Sequence, residues 1–160
     1  MKRLILHWSA GGYEVGALEK AHYHFIVDGD GRVHMGIHTI EDNDVTNDGD
    51  YAAHTRNCNE DAGGIAVAAM RDAVERPFYA GPCPIKPGQL DAFCKLAADL
   101  CRKYKLAVTP TTVLTHAEVQ PVLGIKQRGK WDIARIPFKP ELIGHKACGD
   151  YIRAEIRKHL

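Results

Sequence analysis

No strong charge of either sign marks this chain. Its 21 Lys and Arg stand against 20 Asp and Glu, a formal charge of +1 over 160 residues, so no overall field draws it to nucleic acid or to an anionic membrane. Long hydrophobic runs are missing as well. Nothing approaches the roughly 20 apolar residues needed to span a bilayer, and the opening MKRLILHWSAGG holds too short an apolar stretch for a secretory signal. The expectation is synthesis in the cytoplasm without a signal peptide, no nucleic-acid partner, no stable membrane association, and a monomer. Cysteine is sparse: Cys58, Cys83, Cys94, Cys101 and Cys148 are odd in number and form no CxxC pair, which excludes a dense disulfide framework and points to reduced thiols. Internal repeats, low-complexity tracts and an interdomain linker are absent too. What remains is one domain's worth of chain, 45% hydrophobic and 26% charged, close to the globular average. The residue in excess is histidine, at nine.

The apolar run Arg3 to Trp8 stops at Ser9-Ala10-Gly11-Gly12 and reads as a buried strand ending in His7. His22 to Val27, the turn Asp28-Gly29-Asp30-Gly31, and Arg32 to Ile37 read as a hairpin, because Asp and Gly accept the positive φ of a tight turn. Residues 41–50 are polar without an apolar face, as in a surface loop. Gly63 to Met70 reads as a buried central strand, and Pro77 to Pro87 as a connection. From Gly88 to Lys105 the period changes: Leu90, Phe93, Cys94, Ala97, Leu100, Cys101 and Tyr104 recur every three or four residues, as in an amphipathic helix with both cysteines on its apolar stripe. Val113 to His116 reads as a second short strand ending in histidine. A closing helix is expected over 139–160, starting near Pro140, with Gly144 and Gly149 weakening its first half. Strands interspersed with helices predict a single α/β domain, a mixed central sheet flanked by helices.

Two strands ending in histidine put His7 and His116 at one rim of a sheet, where strand termini share a cleft. The segment Gly129-Lys130-Trp131-Asp132 follows His116 and adds a carboxylate beside a lysine. Two imidazoles and one carboxylate make a three-ligand zinc site with an open fourth position, the catalytic rather than the structural pattern.

With these residues in view, the chain resembles the zinc-dependent N-acetylmuramoyl-L-alanine amidases of the type 2 class, which include small phage endolysins and share their fold with the peptidoglycan recognition proteins. Five blocks between Leu4 and Phe138 match in order: Leu4 to Ala10; Tyr23 to Val27 with Asp30 to Val33; Ala53-His54, Asn59 and Gly64-Ile65; Thr115 to Val119; and Lys130-x-Asp132. The resemblance implies that His7, His116 and Asp132 hold Zn2+, with Tyr23 and Lys130 as catalytic residues beside it. It also implies peptidoglycan as the partner, with cleavage between N-acetylmuramic acid and L-alanine. A phage or prophage endolysin is the leading expectation, acting on the cell wall after release across the inner membrane. A cytosolic muropeptide-recycling amidase and a non-catalytic binding module are the alternatives. No separate wall-binding domain is expected.

Departures from the family pattern matter as well. The stretch Tyr13 to Ala21 leaves room for little more than two helical turns. Ala66 stands after Gly64-Ile65 where some branches place a glutamate base, which shifts the burden to Tyr23 and Lys130. Glu118, read on the strand two residues past His116, is a nearby carboxylate for catalysis or for supporting an imidazole. The segment Gln120 to Gly129 is longer than in compact relatives, and Lys126, Arg128 and Lys130 are basic groups for an acidic stem peptide. His54, Trp8 and Trp131 are candidates to line the substrate groove, against hydrogen-bonded or core packing roles. His34 and His38 share a four-residue spacing, but in strand and turn this does not aim both at one ion. His145 and His159 are expected on the closing helix, in solvent.

Overall fold

In the computed structural model, which describes residues 1–160, the first apolar run forms β1 (Arg3–Trp8), buried from Leu4 onward. A short helix, α1 (Ala17–His22), leads into β2 (Phe25–Val27), and the Asp-Gly turn returns the chain as β3 (Val33–Met35). Then follow β4 (Ala62–Val67), α2 (Pro87–Lys103), β5 (Val113–Thr115), α3 (His116–Leu123) and α4 (His145–Arg157). The strands lie in the order β3-β2-β4-β1-β5. All adjacent pairs are parallel except β2 and β3, which are antiparallel. The sheet is therefore mixed and flanked by helices, as the composition and periodicity predict.

Strand alternation sorts the residues onto two unlike faces. Leu4, Leu6 and Trp8 of β1, with Ile65 and Val67 of β4, join the main core beneath α2 and α4, together with Phe93, Cys94, Ala97, Cys101, Ile152 and Ile156. Burial pushes the Cys94 thiol up to about 12 and the Cys101 thiol up to about 11, so both act as small hydrophobes. On the other face, Ile5 and Leu114 pack with Val119 of α3, while Ile26 and Ala66 pack against Tyr23. His7 points to this second, more polar face.

Element ends differ from the sequence reading where tertiary partners decide them. Both hairpin strands are shorter than expected, so Tyr23 caps the end of α1 instead of sitting in a strand. The central strand stops at Val67, although Ala68 to Met70 stay buried. The closing helix begins at His145, because Gly144 at φ +92 breaks the preceding turn. Within the polar stretch 41–50, Glu41–Asp44 forms a 3-10 turn whose Asn43 is fully buried.

The largest correction concerns His116. It does not end a strand but opens α3, directly after β5, and Glu118 lies in that helix's first turn. Glu118 supports no imidazole. It accepts from the Thr115 N–H at 2.9 Å and pairs with the buried Arg153 guanidinium through two contacts of 2.8 Å. Gly149 makes room for this pair, since a Cβ there would lie 2.2 Å from a Glu118 carboxylate oxygen. What looks like a weak point of the closing helix is where α4 docks.

Candidate active site

Three parts of the chain converge over the second face of the sheet. β1 and β5 are in register at Leu6 and Thr115, so His7 and His116 emerge side by side, with ring centroids 4.7 Å apart. The loop after α3 returns to bring in Asp132, whose backbone carbonyl accepts from the Ala117 N–H at 2.6 Å. Asp132 Oδ2 then lies 3.0 Å from His7 Nδ1 and 3.2 Å from His116 Nδ1. One ligand atom from each of the three falls within 4.8 Å of the others, and all three residues are buried. Three ligand atoms gathered so closely at the floor of a cleft fit a single divalent ion with one position left open, the donor set of catalytic zinc.

Electrostatics keep His7 and Asp132 in ligand form. Burial pushes His7 down to about 4, against the pull of Asp132, so its imidazole is neutral near pH 7. Burial alone would raise the Asp132 carboxyl, but the flanking imidazoles of His116 and His7 hold it well below the usual carboxylate range. A neutral imidazole and an ionised carboxylate are the forms that bind metal.

The cleft has a volume of about 520 Å³ and is lined by Tyr23, His54, Arg56, Arg128, Lys130 and others besides the three donors. The Tyr23 ring lies 5.2 Å from that of His7. Burial, with Asp132 and Glu19 nearby, pushes its phenol far above the usual range, so at neutral pH Tyr23 keeps its proton. Lys130 is exposed on the rim, and its positive charge is felt at His7. Arg56 and Arg128 add to the positive rim, whereas Lys126 lies outside the cleft. Ala66 pairs with His7 in the sheet register, so the position beside this donor offers no carboxylate.

The remaining expectations divide. Trp8 borders the cleft but is buried in the main core, stacked edge-on against Trp131 at 4.6 Å. Trp131 is half-buried and forms part of the wall. His54 lines the cleft, yet both of its nitrogens have protein partners, Thr55 Oγ1 at 2.8 Å and the Ala62 carbonyl at 3.2 Å. His34 pairs with Asp28 at 2.7 Å and His38 with Asp50 at 3.2 Å, each away from the other. His145 opens α4, and His159 lies just beyond that helix, 3.1 Å from Asp91. Sequence reasoning missed Thr55, which lies 3.3 Å from His7 Nε2, and Gln127, whose Oε1 lies 2.8 Å from His116 Nε2. Both are uncharged and stand in loops, where nothing in the local pattern marks them.

Residues 1–150 match the family described as N-acetylmuramoyl-L-alanine amidase. Solved structures share the fold. The hydrolase AmiA of Staphylococcus aureus aligns at a TM-score of 0.58 and 16% identity, covering 97% of this chain and 72% of that one. The N-acetylmuramoyl-L-alanine amidase LysC of Clostridium intestinale aligns at 0.54 and 16% identity, covering 98% and 85%. The Ph2119 endolysin, from a bacteriophage of Thermus scotoductus, aligns at 0.50 and 18% identity, covering 73% and 71%. No curated protein matches the chain by sequence.

Proposed function

Because the chain belongs to the N-acetylmuramoyl-L-alanine amidase family, we propose that its cleft hydrolyses the amide between the lactyl group of N-acetylmuramic acid and L-alanine in peptidoglycan. The observation that carries this reading is the convergence of His7, His116 and Asp132 at the floor of an open, positively rimmed cleft. These three residues would hold zinc, which supplies a water whose pKa falls from 15.7 toward roughly 7 and a Lewis acid for the carbonyl.

The chain's own groups account for the rest. Lys130, on the rim beside His7, places an ammonium where negative charge develops on the carbonyl oxygen, an interaction stronger in the transition state than in the substrate. Tyr23 keeps its phenolic proton and so acts as a hydrogen-bond donor, orienting the nucleophile or passing a proton to the departing L-alanine amine. With Ala66 beside His7, no strand carboxylate serves as the base. Arg56 and Arg128 suit the carboxylates of a stem peptide. Trp131 forms a flat wall for the sugar, and Trp8 supports it from the core.

The biological role we propose is that of a phage or prophage endolysin that opens the host wall, in keeping with the endolysin and amidase structures that share the fold. No helix is long and apolar enough to cross a membrane. Mass spectrometry of digested peptidoglycan identifies the bond: free L-alanine amino termini and intact N-acetylmuramic acid are expected. Cleavage within the glycan or within the stem peptide would overturn the assignment. Loss of turbidity in permeabilised cells supports wall lysis, whereas turnover confined to soluble muropeptides would replace it with recycling.

A further inference from the structure

A metal-binding imidazole must present a bare nitrogen, and which nitrogen is bare depends on what the other one bonds. For His7 this is decided three groups away. His54 Nε2 lies 3.2 Å from the Ala62 carbonyl; a carbonyl only accepts, so Nε2 carries the proton. His54 Nδ1 is then bare, and its partner at 2.8 Å, the Thr55 hydroxyl, donates to it. Having given its single proton, Thr55 Oγ1 accepts from His7 Nε2 at 3.3 Å. This chain assigns to His7 Nδ1, 3.0 Å from Asp132 Oδ2, the lone pair that a metal takes.

A second chain acts on His116. Gln127 Nε2 donates to the Arg56 carbonyl at 2.8 Å, which fixes the amide so that Oε1 faces His116 Nε2, also at 2.8 Å. Oε1 only accepts, so His116 carries its proton on Nε2 and presents Nδ1 to Asp132. Both chains are buried: Thr55 is 1% exposed, Gln127 3% and His54 7%. The sheet is shaped around the longer one, since a Cβ on Gly64 would lie 2.2 Å from His54 Cγ.

We propose that Thr55, backed by His54, and Gln127 are positioning residues that hold His7 and His116 in the Nε2–H tautomer, so that two Nδ1 lone pairs and the Asp132 carboxylate face one cation. The proposal rests on the metal-site reading above, but not on the bond that is cleaved. It gives His54 a structural task, because neither of its nitrogens is left for a substrate. Without a cation the Asp132 carboxylate draws a proton onto the flanking Nδ1 atoms, the contacts that hold its carboxyl low; a cation takes that proton's place and leaves the Nε2–H tautomer that the hydrogen-bond chains favour, so the chains prepare the site for metal.

Long-range 1H–15N correlation NMR of the full zinc-loaded chain reads each histidine directly. His54 is expected to be protonated at Nε2 and bare at Nδ1, with His7 and His116 protonated at Nε2 and metal-bound at Nδ1. A proton on Nδ1 of His54 or of either ligand would overturn the proposal. Zinc affinity, measured by competition with a chromophoric chelator, gives the second readout. Thr55→Val and Gln127→Leu should each weaken binding about 10- to 100-fold, and Thr55→Ser, which keeps the hydroxyl, should restore it. Wild-type affinity in Thr55→Val, or no rescue by Thr55→Ser, also overturns it. Neither measurement uses peptidoglycan. A chain with these tautomers that cuts a different bond sinks the proposed function alone, and an active amidase with Nδ1-protonated His54 sinks this proposal alone.

Discussion

Lys130 and Asp132 stand two residues apart on one loop, yet one is exposed on the rim while the other is buried on the floor. Their substitutions should separate accordingly. Asp132→Ala removes one of three donors, and zinc content and turnover are expected to vanish together. Lys130→Ala leaves all three donors in place, so zinc content should stay at the wild-type level while kcat drops about 10²- to 10³-fold, the usual effect of losing one oxyanion donor. Metal analysis and kcat on the same preparations check both outcomes, and near wild-type turnover in Lys130→Ala would remove it from the chemistry. Both residues stand out as candidates in the sequence because their types are chemically marked and their blocks lie in family order, and folding brings both to the cleft. Thr55 and Gln127 do not stand out, because a hydroxyl or an amide gains its role only from the imidazole that folding brings to it.

At the scale of elements, α3 and α4 are joined by one buried ion pair. Glu118 binds the Thr115 N–H at the start of α3 and the Arg153 guanidinium from α4, which also donates to the Val113 carbonyl at 3.0 Å. Glu118→Ala would leave Arg153 buried without its main partner, at a cost of about 3 to 5 kcal/mol. Gly149→Ala should also destabilise, because its Cβ meets the carboxylate. Urea unfolding reads both variants, and a Glu118→Ala loss under 1 kcal/mol would contradict this account. A second element-scale link is His24, which joins β4 to the 3-10 turn. Its Nδ1 accepts from the Gly64 N–H at 2.9 Å, and its Nε2 lies 3.0 Å from Asn43 Oδ1. Burial lowers its pKa. Above about 6.5 the ring is neutral both folded and unfolded; below it the unfolded chain takes up a proton that the folded ring resists, so stability falls as pH falls. The slope is at most about 1.4 kcal/mol per pH unit for one group. In His24→Gln, stability between pH 6.5 and 5 should decline less steeply than in the wild type by up to that slope, and identical pH profiles would refute the assignment. The strands could be read approximately from apolar runs bounded by turn residues and α2 from its period, whereas the order β3-β2-β4-β1-β5 could not. The start of α3 could not, since Val113-Leu114-Thr115-His116 is a strand-like run that turns helical only where Glu118 caps it. Asn43 was hidden in the same way, as a buried hub within a polar stretch.

Across the whole molecule, the proposed metal centre ties β1 to α3 and to the loop that follows it, segments far apart in the chain. An ion that binds this assembled set and not the unfolded chain adds to the free energy of folding by mass action. At free zinc a thousandfold above Kd, the added stability is about 4.1 kcal/mol. For a chain of this size, each kcal/mol shifts the melting temperature by about 2 to 4 °C, so the zinc-loaded protein should melt roughly 8 to 16 °C above the chelator-treated one. Asp132→Asn keeps the side-chain volume but replaces the anionic donor with a neutral amide. Its melting temperature should be nearly indifferent to zinc, and close to that of the metal-free wild type if Asp132 serves mainly as a ligand. A wild-type protein whose melting temperature ignores both zinc and chelator would show that the three donors do not bind the ion in the folded state. The proposed hydrolytic chemistry would then lose its source of nucleophile, whatever the family resemblance of the fold.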